Sequence, residues 1–187
     1  MSWPQPRNKK DRLWGSMPGK RQVAALLLLA LVTCSPPPEQ PVELKHFSFE
    51  NLEGLQAQSG VELDTQVSHD GHGSWRITAD DPQVVKLVKV TKINLTQPQL
   101  RSTAWVRTDQ GTGYVYFEVR CRFANNETFA RTLGQSLSSP PKWKQMNTQL
   151  TFKQSQKPTS IELNLIINGQ GTVWVDDVHL FQASHKR

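Results

Sequence analysis

Aromatic and charged side chains alternate with apolar ones between Tyr114 and Phe123. Successive side chains of an extended strand point to opposite faces. The apolar face would consist of Val115, Phe117, Val119, Cys121 and Phe123. The opposite face would carry Tyr114, Tyr116, Glu118, Arg120 and Arg122. Rings next to guanidinium and carboxylate groups can stack on a flat apolar ligand surface and hydrogen-bond its polar rim.

A second strand with the same chemistry lies just upstream. Ala104 and Val106 are its core residues, so Trp105 and Arg107 point outward. If the segment 108–113 is a hairpin loop, antiparallel pairing sets Arg107 opposite Tyr114, Trp105 opposite Tyr116 and Arg101 opposite Arg120. The sequence therefore predicts one ligand-binding patch, formed by Trp105, Arg107, Tyr114, Tyr116, Glu118 and Arg120. The alternative is that these rings pack under a loop or brace the sheet edge while the charges are simply solvated.

The elements that position this patch are β-strands. Period-two alternation recurs from residue 44 to residue 182, and turn signals such as Asp70-Gly71 and Asn168-Gly169 interrupt it. Ile161, Leu163, Leu165 and Ile167 repeat the pattern, and Trp75 with Ile77 form a further core pair. No long segment has a helical period. The sequence therefore predicts an all-β fold, a β-sandwich of two antiparallel sheets.

The positive charge is concentrated at the start of the chain. The formal net charge is +6, and residues 1–22 carry six basic residues against the single Asp11. The remainder is nearly neutral and lacks the basic surface that binding to a phosphate backbone requires. Nucleic acid is therefore excluded as a partner.

The N-terminal region is typical of an export signal. The uncharged run from Val23 to Thr33 is too short to span a bilayer and follows a basic stretch, which predicts a signal peptide over residues 1–33, with Met17 as an alternative start. Cys34 follows in a segment that resembles a bacterial lipobox. The resemblance implies that Cys34 is lipidated and that the chain is exported to the cell envelope, anchored to a membrane, the outer one in a Gram-negative cell. A signal peptide with a chance cysteine is the alternative. Residues 34–43 form a Pro-rich linker, and residues 184–187 a basic tail.

Five sequence landmarks follow one another in the segment after the Pro-rich linker. They are Phe47 to Asn51 with Gly54, His69 to Ile77, Leu100 to Arg107, Trp143, and Gly171 to Leu180. Together they resemble the jelly-roll carbohydrate-binding modules appended to bacterial xylanases and cellulases, within the galactose-binding-like superfamily. The resemblance covers residues 44–183. It implies a jelly roll that binds a polysaccharide or oligosaccharide, either on a sheet face or at the loop rim.

The resemblance also implies a structural Ca²⁺. Its matching ligand positions are Glu50, Asp70, Asp176 and Asp177. Oxygen donors from both ends of the domain suit calcium. His69 and His72 in the same turn do not suit it, and they lack a third ligand at zinc-like spacing.

Catalytic constellations are missing from the sequence. Asp176 and Asp177 are strand neighbours that point to opposite faces, and Glu118 has no carboxylate partner of the kind that glycoside hydrolysis uses. Nucleophile motifs and phosphate-binding glycine loops are also missing. Two functions remain: a non-catalytic, envelope-tethered carbohydrate-binding module, and a protein-interaction or scaffolding domain that binds an envelope protein and no sugar.

Overall fold

The protein is all-β throughout the part of the chain that the computed structural model describes, which is residues 40–53, 58–138 and 140–183. Its strands are β1 (Val42–Phe47), β2 (Val61–Asp64), β3 (Ser74–Ala79), β4 (Gln83–Thr91), β5 (Gln99–Arg122), β6 (Glu127–Arg131), β7 (Gln135–Ser136), β8 (Lys144–Thr151) and β9 (Ser160–Gln182). No described helix is long and apolar enough to cross a membrane. The predicted signal peptide, Met17, Cys34, Gly54 and the basic tail lie outside the described residues, as does most of the linker.

Two long strands organise the sandwich. β5 and β9 pair antiparallel along almost their whole length, from Leu100 opposite Gln182 to Arg122 opposite Ser160. The first sheet contains the N-terminal half of β5 and the C-terminal half of β9, flanked by β8 on one side and by β1, β3 and β2 on the other. The second sheet contains the other halves, flanked by β4 on one side and by β6 and β7 on the other. The predicted all-β sandwich is confirmed.

The core lies between the two sheets. It draws on both halves of the long strands and includes Trp75, Ile77, Ala104, Val106, Phe117, Cys121, Leu163 and Val175. The alternation in the sequence predicted these inward positions correctly. Burial raises the pKa of Cys121 to about 12, so this thiol is an inert apolar residue of the core.

The predicted hairpin at residues 108–113 is wrong. The chain does not turn back there. Instead, β5 continues through a register shift between Asp109 and Thr112 and pairs with β9 on both sides of it. Gln110 and Gly113 take positive φ values of 44° and 94°, and Gly169 and Gly171 face them from β9 with φ values of 152° and 148°. Both halves of β5 and β9 contribute residues to the same core cluster. The bulged site between the halves is therefore the corner where the strand pair passes from one sheet to the other.

Candidate functional site

The outer surface of the second sheet collects the polar residues of three strands. Outward residues of β5 are Tyr114, Tyr116, Glu118 and Arg120. The register places Asn164 of β9 on one side of Glu118 and Arg131 of β6 on the other. We call these six residues the tyrosine–arginine face.

Glu118 is the electrostatic centre of this face. Its side chain is only 1% exposed, and both of its carboxylate oxygens accept hydrogen bonds. Oε2 accepts a bond of 2.7 Å from Arg131 Nη2, and Oε1 accepts bonds of 3.1 Å from Arg120 Nε and from Asn164 Nδ2. Burial alone would raise the pKa of Glu118, but these bonds outweigh it and hold the pKa below its ordinary value of 4.5.

The two arginines are fixed from several sides. Arg120 also donates to Glu127 of β6. The guanidinium carbons of Arg120 and Arg131 lie 4.9 and 5.4 Å from the ring centroid of Phe129, at cation–π distance. Guanidinium groups held in this way are preorganised donors, because little side-chain entropy is left to lose when a ligand arrives.

The two tyrosines stand beside this charged cluster. Tyr114 is 51% exposed, whereas Tyr116 is half-buried. Gly134 packs against both rings: a Cβ there would lie 2.9 Å from Tyr116 Cε1 and 3.2 Å from Tyr114 Cδ1. The rings are therefore supported at their edges without being sealed from solvent.

Asn164 places a buried acceptor beneath the face. The residue is 4% exposed, and its Oδ1 is a buried atom with no hydrogen-bond partner among the described residues. A buried polar atom normally has a partner, either a protein group or a bound molecule. This oxygen is thus a place where a buried water molecule would be stabilised.

Trp105 and Arg107 lie elsewhere, on the outer surface of the first sheet. Trp105 stacks on His69 with ring centroids 3.9 Å apart, and Trp143 packs edge-on against the same imidazole. Arg107 lies 5.3 Å from the centroid of Trp174. The structure therefore divides the six predicted patch residues: four belong to the tyrosine–arginine face, and these two belong to the other sheet. Arg101 and Arg120, expected to face each other, are separated in the same way.

No protein-family model matches this sequence, and no curated protein shows significant similarity to it. Solved structures do share its architecture. The CBM22-1 xylan-binding domain of Paenibacillus barcinonensis Xyn10C superposes with a TM-score of 0.58 at 16% identity, over 78% of this chain and 97% of that domain. The chain has the fold of a jelly-roll carbohydrate-binding module.

Two further structures agree with this assignment. The C-terminal family 22 carbohydrate-binding module of Clostridium thermocellum Xyn10B gives a TM-score of 0.56 at 10% identity, over 80% of this chain and 99% of that module. A family 16 carbohydrate-binding module gives 0.52 at 13% identity, over 69% and 91%. Similarity at this level of identity shows the fold, while function depends on the side chains of the site.

The four carboxylates predicted to bind calcium are used in different ways. Asp176 is fully buried; its Oδ2 accepts from the backbone N–H groups of His69 and Asp70 at 2.8 and 3.2 Å, and its Oδ1 accepts from that of Asp177 at 2.7 Å. Burial raises the pKa of Asp176 above its ordinary value of 3.8, because these bonds do not offset the loss of water. Asp177 points its Oδ1 at two histidines instead.

Glu50 and Asp70 are the other two of the four predicted calcium ligands, and both lie at the Asp70-Gly71 turn. A Cβ on Gly71 would lie 1.8 Å from Glu50 Oε1, so the Glu50 carboxylate covers this turn, and Asp70 Oδ1 accepts from the Gly71 N–H at 2.8 Å. Asp176 already accepts three backbone N–H bonds, so it would bind calcium only through the lone pairs that these bonds leave. Glu50 and Asp70, together with carbonyl oxygens of the turn, are the donors that remain for a hard cation.

Calcium at this turn stays a prediction with a direct test. If it binds, calcium at a hundredfold excess over its Kd should raise the melting temperature by about 5 to 10 °C, and Glu50→Ala should abolish the rise. Differential scanning calorimetry of the chelator-treated protein would measure this. Glu53→Ala, which removes a nearby exposed acid, is the control. An unchanged melting temperature in wild type would exclude calcium from the turn.

Proposed function

We propose that this chain is a non-catalytic carbohydrate-binding module that binds a polysaccharide or oligosaccharide across the tyrosine–arginine face. One observation carries the proposal: the exposed ring of Tyr114 and the half-buried ring of Tyr116 stand beside two arginines that a buried carboxylate holds in place. A pyranose presents an apolar C–H surface with hydroxyls around its rim. The face offers the matching chemistry on a single surface.

Each group on the face has a distinct role in this proposal. The rings of Tyr114 and Tyr116 stack on the C–H surface of the sugar. Arg120 and Arg131 donate to its hydroxyl oxygens. Glu118 lies beneath the arginines and positions them. It holds their guanidinium planes in place and need not touch the sugar.

The ionisation of the carboxylates supports a binding role without catalysis. A glycosidase needs a general acid whose pKa is raised toward neutrality and a second carboxylate across the bond that is cleaved. The pKa of Glu118 is shifted in the opposite direction, and its charge is neutralised by Arg120 and Arg131. The carboxyl with the raised pKa, Asp176, is enclosed by backbone N–H groups on the other sheet.

The proposal extends to where the module acts. Cys34, if lipidated, would anchor the domain to a membrane through the Pro-rich linker, with the module displayed at the cell envelope. Mass spectrometry of the N-terminal peptide from the membrane fraction tests this. We expect a diacylglyceryl-modified cysteine in wild type and a soluble, unmodified product from Cys34→Ser. If the wild-type protein is missing from the membrane fraction, the proposed lipid anchor is wrong.

Sugar binding is tested by comparing two aromatic variants. We expect Tyr116→Ala to weaken binding to the best ligand of a glycan array by about tenfold, which is what the loss of a stacking contact of about 1.4 kcal/mol produces. Trp105→Ala should leave the affinity within about twofold, because Trp105 lies on the other sheet. Isothermal titration calorimetry measures both affinities, and circular dichroism confirms that each variant is folded.

The protein-interaction alternative predicts a different result for the wild-type protein in binding experiments. β6 and the segment after it expose Phe129 and Leu133, which are 51% and 94% accessible, so a partner protein could dock on this edge. If wild type retains no glycan above background while a stable complex with an envelope protein is recovered and is lost in Leu133→Asp, the sugar-binding proposal is rejected in favour of scaffolding.

A further inference from the structure

Two histidines and two carboxylates meet where β1 joins β9. His46 is directly opposite His179 in the strand register, and their rings stack with centroids 4.2 Å apart and planes inclined by only 3°. Asp177 lies two positions before His179 on β9 and has a positive φ of 48°. Glu43 comes from β1. One potential ligand atom from each of Glu43, His46 and His179 lies within 4.8 Å of the other two.

The contacts within this cluster are short and shared. Asp177 Oδ1 lies 2.8 Å from His46 Nε2 and 2.8 Å from His179 Nε2. The second nitrogen of His179, Nδ1, lies 2.5 Å from Glu43 Oε1. Both nitrogens of one imidazole ring therefore face carboxylate oxygens.

A neutral imidazole cannot satisfy this arrangement. It carries one N–H, so it can donate to only one of the two carboxylates, and the other contact would set a lone pair against an anion. The contacts therefore need either a proton on the second nitrogen of His179 or a bound cation beside it. A divalent cation would supply this positive charge at the point where the two Nε2 atoms and the Asp177 carboxylate converge.

We propose that His46, His179 and Asp177 bind a divalent transition-metal ion of the zinc class. The ligand atoms would be Nε2 of each histidine and Oδ1 of Asp177, with the remaining position open to water because His46 is 44% exposed. Imidazole nitrogen with carboxylate oxygen is a donor set for zinc and its neighbours, whereas calcium and magnesium take oxygen ligands. This site is distinct from the turn of Glu50 and Asp70, and it does not depend on sugar binding.

Forming the coordination shell requires the two stacked rings to open, because parallel imidazoles direct their Nε2 lone pairs side by side and not at a common point. Metal–ligand bonds of about 2.0 to 2.1 Å in a tetrahedron place the ligand atoms about 3.3 Å apart. The two Asp177 contacts would lengthen from 2.8 Å to reach that spacing. His46 lies at the exposed side of the cluster and can turn its ring without disturbing the core.

Two neighbouring groups would hold the ligands in place. Glu43 accepts the Nδ1–H of His179, which leaves Nε2 with a free lone pair for the metal. His69 Nδ1 is a buried atom without a hydrogen-bond partner among the described residues and lies 4.0 Å from Asp177 Oδ2. That separation is too long for a hydrogen bond, so His69 would hold Asp177 only after the carboxylate moves closer. Both groups are positioning residues for the metal ligands.

The metal would link β1 to β9. The described pairing partner of β1 is β9, and most β1 side chains are exposed or half-buried, so apolar packing holds this strand weakly. Cross-linking His46 of β1 with Asp177 and His179 of β9 stabilises the folded state by the free energy of metal binding. The strand nearest the N-terminal linker would thereby be secured to the sandwich.

The experiment is a zinc titration of the full chain, purified without a histidine tag and stripped with chelator. We expect one Zn²⁺ per chain by isothermal titration calorimetry, a zinc-dependent rise in melting temperature, and no competition by a large excess of Ca²⁺. His46→Gln and His179→Gln should each weaken zinc binding by at least about tenfold, and Glu43→Gln by about tenfold through the lost hold on His179. Co²⁺ bound in place of zinc should show the visible absorption of a tetrahedral site.

His72→Gln is the matched control, because it removes an exposed histidine of the neighbouring turn that is outside the cluster. His46→Gln changes an exposed side chain, so its metal-free melting temperature should remain close to that of wild type. Three results would overturn the proposal: no zinc binding by wild type, an affinity unchanged in both histidine variants, or an equal loss in His72→Gln. The last would identify non-specific capture by surface histidines.

Discussion

Replacing Gly113 by alanine is expected to lower the free energy of unfolding by about 3 kcal/mol or more, one of the largest effects of any single substitution in this chain. Gly113 has a φ of 94°, a conformation that residues with a Cβ rarely adopt. A Cβ there would lie 2.0 Å from the carbonyl oxygen of Asn168, which belongs to the opposing backbone and cannot rotate away. The clash forces β5 and β9 apart at the corner that both sheets share.

Urea unfolding followed by tryptophan fluorescence measures this change in stability. Gly73→Ala is the control, because its Cβ would meet the end of a flexible side chain, Leu63 Cδ1, at 3.1 Å. We expect it to cost far less than Gly113→Ala. Equal effects of the two substitutions would mean that the corner is not under the steric constraint that the close approach of β5 and β9 implies.

Local alternation was sufficient to predict which side chains face the core. Val115, Phe117, Val119 and Cys121 are completely buried, as the period of two along this strand requires. The prediction succeeded because burial on one side of a strand is recorded residue by residue in the sequence. A shift of one residue would have turned every charged group inward.

The sequence predicts a hairpin turn at the corner because a hairpin turn and a bulged bend need the same residue types. A tight turn and a bulged bend both require positive φ, and glycine provides it in either case. The segments around Gly111 and Gly171 therefore look like turns when each is considered alone. Their mutual contact, with a Gly171 Cβ position only 2.8 Å from Gly111 Cα, shows that they form one bend in a strand pair. Local patterns do not record which segment lies opposite.

The same limit explains which residues of the candidate sites were not predicted from the sequence. Asn164 and Arg131 complete the tyrosine–arginine face through pairing between distant strands. His46 and His179 come from opposite ends of the domain and meet only because β1 pairs with the end of β9. Sequence spacing can reveal a metal site within a turn or helix, but it cannot reveal one assembled by long-range register.

Glu118→Gln should lower the free energy of unfolding by about 3 kcal/mol, because it removes the buried charge that Arg131 pairs with and leaves Arg120 only its pair with Glu127. The amide keeps the size of the side chain but not its charge, and it turns an N–H donor toward Arg120 or Arg131 in place of an acceptor. Glu62→Gln is the matched control. It breaks an ion pair with Arg76 at the surface, where Glu62 is 59% exposed, and should cost less than about 1 kcal/mol.

Low pH should destabilise the wild-type protein through the same cluster. The pKa of Glu118 in the folded state lies below its ordinary value of 4.5, so its stabilising contribution is complete above that pH and is lost as the pH falls through the folded-state pKa. Glu162, held by Arg122, is shifted in the same direction. Asp176 is shifted upward, so its ionisation opposes folding and it weakens the acid effect. Because the lowered carboxyls outnumber it, unfolding free energies measured from pH 6 to pH 3 should fall in wild type below about pH 4.5. The fall should be shallower in Glu118→Gln, and equal slopes in the two proteins would show that Glu118 does not carry the acid sensitivity.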